Sequence, residues 1–232
     1  MPELTQSRRR FWALFASLAA GEVLMGAVFY PILLLREAGS AWCEVLRYLI
    51  VLGKIVGFGL AMLLILTLTK EKGTLRGWGM AGLCLLTFTV RDLTGNLISA
   101  FATLGDAFEA WDLVLYALLQ TALNTLLYEG ACLALLYLLS LHLLRRGEAR
   151  KNAPVSLSAD ATARALAVSV GGICLSDAVW QVNDWIRFGE EHFWLLTAPE
   201  IFTMIFDLFW TLLSGVISLI ICYIFRKKVL KK

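Results

Sequence analysis

The stretch VLRYLIVLGKIVGFGLAMLLILTLT, residues 45–69, decides the fold class of this chain. A helix of about 20 apolar residues crosses the hydrocarbon core of a bilayer. This stretch is longer than that, and only Arg47 and Lys54 within it carry a charge. It therefore predicts a transmembrane helix.

Five further apolar runs resemble this one in length, and they extend the prediction to the whole chain. The six predicted spans cover residues 11–35, 45–69, 77–102, 111–144, 162–186 and 194–225. Charged residues make up 17% of the 232 residues, below the roughly 25% of soluble domains. We therefore predict an all-α polytopic membrane protein that forms a single membrane domain over residues 1–232, with the lipid bilayer as its immediate partner.

Two details of the spans add expectations about helix ends. The fourth and sixth runs exceed one bilayer crossing, so we expect these helices to protrude or tilt. Residues 145–161 form the longest polar stretch and are predicted to be a linker. Pro31 stands near the end of the first run, where we expect it to mark the end of a helix.

The distribution of basic residues predicts how the spans are oriented. Sixteen of the 21 Lys and Arg residues lie before span one, after span six, in the loops after spans two and four, or, as Arg164 does, at the start of span five. Only Arg36, Arg47 and Arg187 lie on the opposite side. The positive-inside rule then predicts cytoplasmic termini, a cytoplasmic linker and three helical hairpins, with a plasma (inner) membrane as the default location. The basic residues form short anchoring clusters, so nucleic-acid binding is not expected.

Every predicted span carries an ionisable residue near its middle. A charge in hydrocarbon costs at least about 2.5–3.5 kcal/mol, so such residues mark functional sites in membrane proteins. At 1.5 Å per helical residue, they fall in one layer in the middle to outer part of the membrane. We call this set the polar belt, and its members are Glu22, Lys54, Arg91, Asp92, Glu129, Asp177 and Asp207, with Asp184 nearer the outer end of span five.

Acids outnumber bases in the polar belt by six to two. Lys54 and Arg91 are the predicted counter-charges, and two ion pairs would leave four carboxylates protonated, hydrated or neutralised by a bound cation. The belt therefore predicts a site for a cation, a proton or a small cationic solute. Arg91 and Asp92 are adjacent and point about 100° apart on a helix, so we expect Arg91 to meet a carboxylate on another helix instead.

Polar residues at helical spacing accompany the belt. Asn96 follows Asp92 by four positions, Gln181 follows Asp177 by four, and Asn124 and Tyr128 are also four apart. Such side chains would be unsatisfied if they faced lipid, so we expect them to face the bundle interior. These side chains could either support the polar belt or form ordinary hydrogen bonds between helices, and the sequence leaves both roles open. Glycines at 53, 57 and 59 predict a close helix approach around Lys54.

The composition also narrows the classes of function. The two histidines, His142 and His192, lie outside the belt, so a histidine-based zinc site or Ser-His catalysis within the membrane is not expected. No nucleotide, metal or cofactor motif is present, and we expect no cofactor and no metal site.

Three functions remain open at this stage. The leading hypothesis is a transporter or channel-type protein that binds a cation through the belt. The alternative is a non-catalytic membrane component, namely a substrate-binding subunit, a sensor or an assembly partner that works through another chain or in a homo-oligomer. The third is a lipid-modifying membrane enzyme that uses Asp177 or Glu129.

Overall fold

The computed structural model describes residues 2–105, 107–145, 159–192 and 198–229, and within these ranges the chain is helical with no strand. The side chain of Asp184 and those of several residues near helix ends lie outside the description. The helices are α1 (Pro2–Glu37), α2 (Trp42–Lys72), α3 (Thr74–Leu104), α4 (Ala110–Thr121), a π-helical segment (Ala122–Glu129), α5 (Gly130–Arg145), α6 (Ala159–His192) and α7 (Ala198–Val229). The predicted all-α class is confirmed.

Five stretches of these helices are long and apolar enough to cross a membrane. They are Arg8–Glu37, Trp42–Lys72, Ala110–Leu144, Ala161–Asn183 and Ile201–Lys227. Helix α3 has the same 31-residue length as α2, but Arg91 and Asp92 lower its hydropathy. The helices are therefore compatible with a multi-pass membrane protein.

Helix α2 lies at the centre of the bundle, where it contacts α1, α3, α5, α6 and α7. The stretch from Ala61 to Ile65 is 0% exposed. Buried apolar side chains of the other helices pack around it, among them Phe88, Tyr137 and Val170. The half of the bundle around residues 58–69 of α2 is thus a closely packed apolar core.

Three glycines of α2 allow its neighbours to come close. A Cβ atom at Gly53 would overlap the Met25 sulfur of α1, and a Cβ atom at Gly57 would overlap the Glu22 carboxylate. A Cβ atom at Gly59 would lie 2.6 Å from Ser218 Oγ of α7. The close approach expected around Lys54 is therefore present, with α1 and α7 as the partners.

The fourth apolar run is not a plain α-helix. Residues Ala122–Glu129 form a π-helical segment between α4 and α5, and the Gly130 amide donates to the carbonyl of Thr125, five residues earlier. A π-helix aligns residues five apart, so Asn124 and Glu129 come to one side. Sequence spacing that assumes an α-helix places these two residues on different faces.

The expectation that Pro31 ends the first helix is wrong. Pro31 lies inside α1, which continues to Glu37. Gly39 follows the end of the helix with a left-handed φ of 64°, and the Ser40 amide donates to the carbonyl of Leu35 at 2.8 Å. A glycine in this conformation stops helices commonly, whereas a proline removes only one backbone donor.

Candidate functional site

One buried arginine organises the polar belt. The Arg91 side chain is 2% exposed, and its guanidinium donates to three carboxylates. Arg91 Nη1 lies 2.8 Å from Glu22 Oε2, Nη2 lies 2.6 Å from Glu129 Oε1, and Nε lies 2.7 Å from Asp92 Oδ1. The guanidinium therefore ties α1, α3 and the π-helical segment together.

Arg91 does meet carboxylates on other elements, but it also pairs with its neighbour Asp92, which the helical geometry had argued against. The physical reason is the length of the arginine side chain, which presents donors in several directions. Its Nε faces back toward Asp92 while its two terminal nitrogens reach away. Thr125 Oγ1 also donates to Asp92 Oδ2 at 2.6 Å, so Asp92 links α3 to the π-helical segment.

Two carboxylate oxygens of this cluster have no hydrogen-bond partner among the described residues. They are Glu22 Oε1 and Glu129 Oε2, and both atoms are buried. A buried acceptor without a donor is unfavourable. Because three carboxylates share one guanidinium, the cluster favours an additional proton, water molecule or positively charged group.

A cavity of about 400 Å³ adjoins the cluster, within the range of roughly 300–1,000 Å³ for small-molecule sites. Its charged lining residues are Lys54, Arg91, Asp92, Glu129 and Asp177, and its polar ones are Asn96, Asn124, Tyr128 and Gln181. Its apolar walls are Phe29, Val51, Ile55, Phe58, Phe88, Ile173 and Trp180. Glu22 adds to this set through its ion pair with Arg91. Most residues that the sequence predicts for the site therefore lie in or beside one cavity.

Lys54 and Asp177 differ from the other charged residues of the cavity. Among the described residues, neither has an oppositely charged group within 4.0 Å. Gln181 lies one turn beyond Asp177 on α6 and donates to Thr211 Oγ1 at 2.7 Å. Its Oε1 is buried without a partner in the same part of the chain. In this part of the chain, Lys54 and Asp177 thus lack a direct ion pair, and Gln181 Oε1 lacks a hydrogen bond.

The lining of the cavity includes both exposed residues and residues of the buried core. Trp180 is 47% exposed and Asn124 is exposed, so the cavity reaches the surface of the bundle between the π-helical segment and α6. Phe58 and Phe88 stack with ring centroids 6.5 Å apart at the other end, against the packed core. Within the described residues the cavity thus has exposed lining residues on one side and borders the packed core at Phe58 and Phe88.

Asp207 does not belong to this site. Its Oδ1 lies 3.2 Å from Arg47 Nη2 and accepts a hydrogen bond from Tyr48 at 2.7 Å. Arg47 also pairs with Glu44 at 2.9 Å. Asp207 lies only nine residues after the start of α7 at Ala198, so it faces the beginning of α2. Asp184 is a residue of α6, but its side chain lies outside the described residues.

Sequence reasoning missed several contacts that position the site. Asn96 Nδ2 donates to Thr121 Oγ1 at 3.0 Å, and the Arg91 guanidinium lies 5.4 Å from the centre of the Phe88 ring. Thr121 and Phe88 carry no charge, so nothing in the sequence distinguishes them from other residues of the apolar runs. A helical projection places Phe88 near Arg91 and Asp92, which is the only hint the sequence offers.

The described side chains that could ligate a metal ion do not converge on one position. No group of three or more His, Cys, Asp or Glu side chains in the described part of the chain is arranged to hold a metal ion. The carboxylates at Arg91 instead surround the guanidinium. Comparison with protein-family models, with curated proteins and with solved structures finds no match to this chain.

Proposed function

We propose that this protein is an integral membrane transporter or channel-type protein whose cavity binds protons or a small solute with a positively charged group. One observation carries the proposal. The cavity and its Arg91 cluster combine the carboxylates of Glu22, Asp92, Glu129 and Asp177 with only two cationic side chains. A positive group in the cavity would neutralise part of this excess, which is unfavourable in a low-dielectric interior.

The proposal includes a topology of six spans in three hairpins, with both termini cytoplasmic and the protein in the plasma membrane. The basic residues support this orientation, since sixteen of 21 lie on one side of the predicted spans. Helix α3 counts as a span because it packs against α1 and α2 and buries Arg91. In this orientation the packed core lies toward the cytoplasm and the cavity lies in the outer half.

The shape of the pocket favours a transporter over an open pore. The packed core closes one end of the cavity within the described residues, so passage of a solute requires a rearrangement. π-helical segments occur frequently at functional sites, and this one carries Glu129 of the cluster. Our proposal includes the π-helical segment as the element that rearranges.

The aromatic residues in the walls favour an organic cation or a proton over a bare metal ion. Phe29, Phe58, Phe88, Tyr128 and Trp180 line the cavity. Aromatic faces attract cations, and the attraction strengthens when the cation is desolvated.

Flux measurements in proteoliposomes test this function. Proton flux is followed with a trapped pH-sensitive dye, and guanidinium serves as a small organic cation. Asp177→Asn should lower the flux at least about tenfold because it removes an unpaired carboxylate from the cavity. The matched control Asp207→Asn, outside the cavity, should stay within about twofold of the natural chain. Unchanged flux in Asp177→Asn, or no flux under any gradient, would contradict the proposal.

The closed end of the cavity favours a second candidate, a non-catalytic membrane component that binds a solute and works through another chain. Such a component needs a pocket but no passage of its own. In that case the protein would co-purify with a stoichiometric membrane partner and would bind solute without transporting it. Flux from the purified chain alone would exclude this candidate.

A further inference from the structure

We propose that the solute of this cavity is a zwitterion, with an ammonium group that meets Asp177 and an anionic group that meets Lys54. This inference rests on the proposed function and deepens it, because it names the chemical class of the solute. It starts from the two charged residues of the cavity that have no ion pair within 4.0 Å in the described part of the chain.

The positive end of the solute is recognised by α6. Asp177 offers a carboxylate, and one turn later Gln181 offers a buried Oε1 with no partner among the described residues. An amide oxygen accepts hydrogen bonds only, so this pair suits the N–H groups of an ammonium better than a quaternary nitrogen. The rings of Tyr128 and Trp180 lie edge to face at 5.7 Å beside this pair and supply aromatic surface for a cation.

The negative end of the solute is recognised by α2. Arg91 is engaged by three carboxylates, which leaves Lys54 as the cation of the cavity without an ion pair in the described residues. The neighbouring carboxylates of Asp92 and Glu129 are the ones Arg91 holds. A carboxylate or phosphate on the solute would give Lys54 an ion-pair partner, which a solute with only a positive charge would not supply.

Apolar side chains also line the cavity that holds the two poles. Val51, Ile55 and Ile173 are among them, and the cavity has room for a compact aliphatic group. An α-amino acid with an aliphatic side chain combines these three features. The same two poles occur in an ethanolamine phosphate lipid head group, which would enter through the opening beside Asn124 and Trp180.

Three analogues with one skeleton test the inference by binding to the purified protein in a non-ionic detergent. Leucine carries both poles, leucine methyl ester only the ammonium, and N-acetylleucine only the carboxylate. We expect leucine to bind at least about tenfold more tightly than either analogue, measured by ligand-dependent thermal stabilisation. A second arm compares dispersed phosphatidylethanolamine with phosphatidylglycerol. Selective stabilisation by the former, with none by leucine, assigns the poles to a lipid head group.

Variants assign each pole to its residue. Lys54→Met should abolish the preference for leucine over its methyl ester, and Asp177→Asn should abolish the preference over N-acetylleucine. Asp207→Asn, outside the cavity, should keep both preferences. If the methyl ester binds as tightly as leucine, the zwitterion inference fails while the proposed cation site stands. If neither zwitterion binds selectively, the inference also fails, and the flux of Asp177→Asn then judges the proposed function separately.

Discussion

At the scale of single residues, Arg91 explains how four charged side chains coexist inside the helical bundle. A guanidinium carries five N–H donors in a rigid plane and stays charged. Three carboxylates approach it from three elements at 2.6–2.8 Å. This geometry fixes the positions of α1, α3 and the π-helical segment. It also leaves two carboxylate oxygens without a hydrogen bond, which a further positive group could supply.

Arg91→Lys should destabilise the fold by about 3 kcal/mol, because an ammonium cannot serve three carboxylates at once and leaves buried charge uncompensated. Thermal unfolding in detergent measures the change. The matched control is Arg47→Lys, whose side chain is 49% exposed; that change should cost less than about 1 kcal/mol. Equal stability losses in the two variants would contradict the role assigned to Arg91.

Gly57→Ala should displace Glu22 from Arg91, since a Cβ atom at this position overlaps the Glu22 carboxylate. We expect a loss of about 1–3 kcal/mol in the free energy of unfolding, together with reduced flux. Gly82→Ala serves as the control, because a Cβ atom at Gly82 has no neighbour within 4 Å and alanine favours helix. Equal or greater stability of Gly57→Ala would refute the close packing of α1 on α2.

The sequence predicts which residues carry charge inside the bundle better than it predicts their partners. Lys54, Arg91 and Asp177 could be predicted as site residues, because a charge within an apolar helix is costly and marks a functional position. Their distance along the helix from the basic residues at its end predicts their depth. The pairing of Arg91 with Asp92 depends on side-chain reach, and the pairing of Asp207 with Arg47 depends on how α7 is placed against α2. The spacing of residues along one helix predicts neither the reach of a side chain nor the placement of one helix against another.

At the scale of elements, the π-helical segment is the feature that spacing alone fails to predict. Residues Ala122–Glu129 have an ordinary helical composition, and nothing in it distinguishes a π-helix from an α-helix. Its contacts arise from tertiary structure, since Thr125 bonds to Asp92 and Glu129 bonds to Arg91. By contrast, the core of α2 was predictable, because an apolar run of residues 45–69 has no other stable environment than lipid or protein.

Deletion of Leu126 should convert the π-helical segment into an α-helix, because the wider turn contains an extra residue that the deletion removes. Leu126 is 51% exposed, so its side chain contributes little to the core. We expect Glu129 to turn away from Arg91 and the flux to fall at least about tenfold. The control Leu126→Ala keeps the chain length and should keep the flux. A deletion variant with normal flux would show that the wider turn has no role.

At the scale of the whole molecule, the bundle divides into a packed half and a polar half. The core around Ala61–Ile65 excludes solvent, and the cavity with the Arg91 cluster occupies the other half. The positions of several helices could be predicted to within a few residues; the sequence predicts α2 at 45–69, for example, and it extends over Trp42–Lys72. Helix α1 departs further, since it begins at Pro2 and its predicted span at residue 11. The cavity could not be predicted, because its volume depends on how α2, α3 and α6 pack together.

The orientation of the molecule can be tested with reporter fusions. An alkaline phosphatase fused after residue 229 should be inactive, because the positive-inside rule places the last basic cluster in the cytoplasm. A fusion in the turn at Gly39 or after Gly105 should be active. The opposite pattern would reverse the orientation and place the cavity in the cytoplasmic half.

Cysteine accessibility in intact membranes tests the central claim, a hydrated and negatively charged cavity, without knowledge of the solute. Cys43 and Cys132 are replaced by alanine, and Asn96→Cys or Leu63→Cys is then introduced. Asn96 lines the cavity, while Leu63 is 0% exposed in the core. Cationic and anionic thiosulfonate reagents of equal size are compared at both positions.

We predict that Asn96→Cys reacts at least about tenfold faster with the cationic reagent than with the anionic one, and that Leu63→Cys reacts with neither. Addition of Asp177→Asn should narrow the difference between the reagents. Equal rates, a faster anionic reagent, or no reaction at Asn96→Cys would contradict the account.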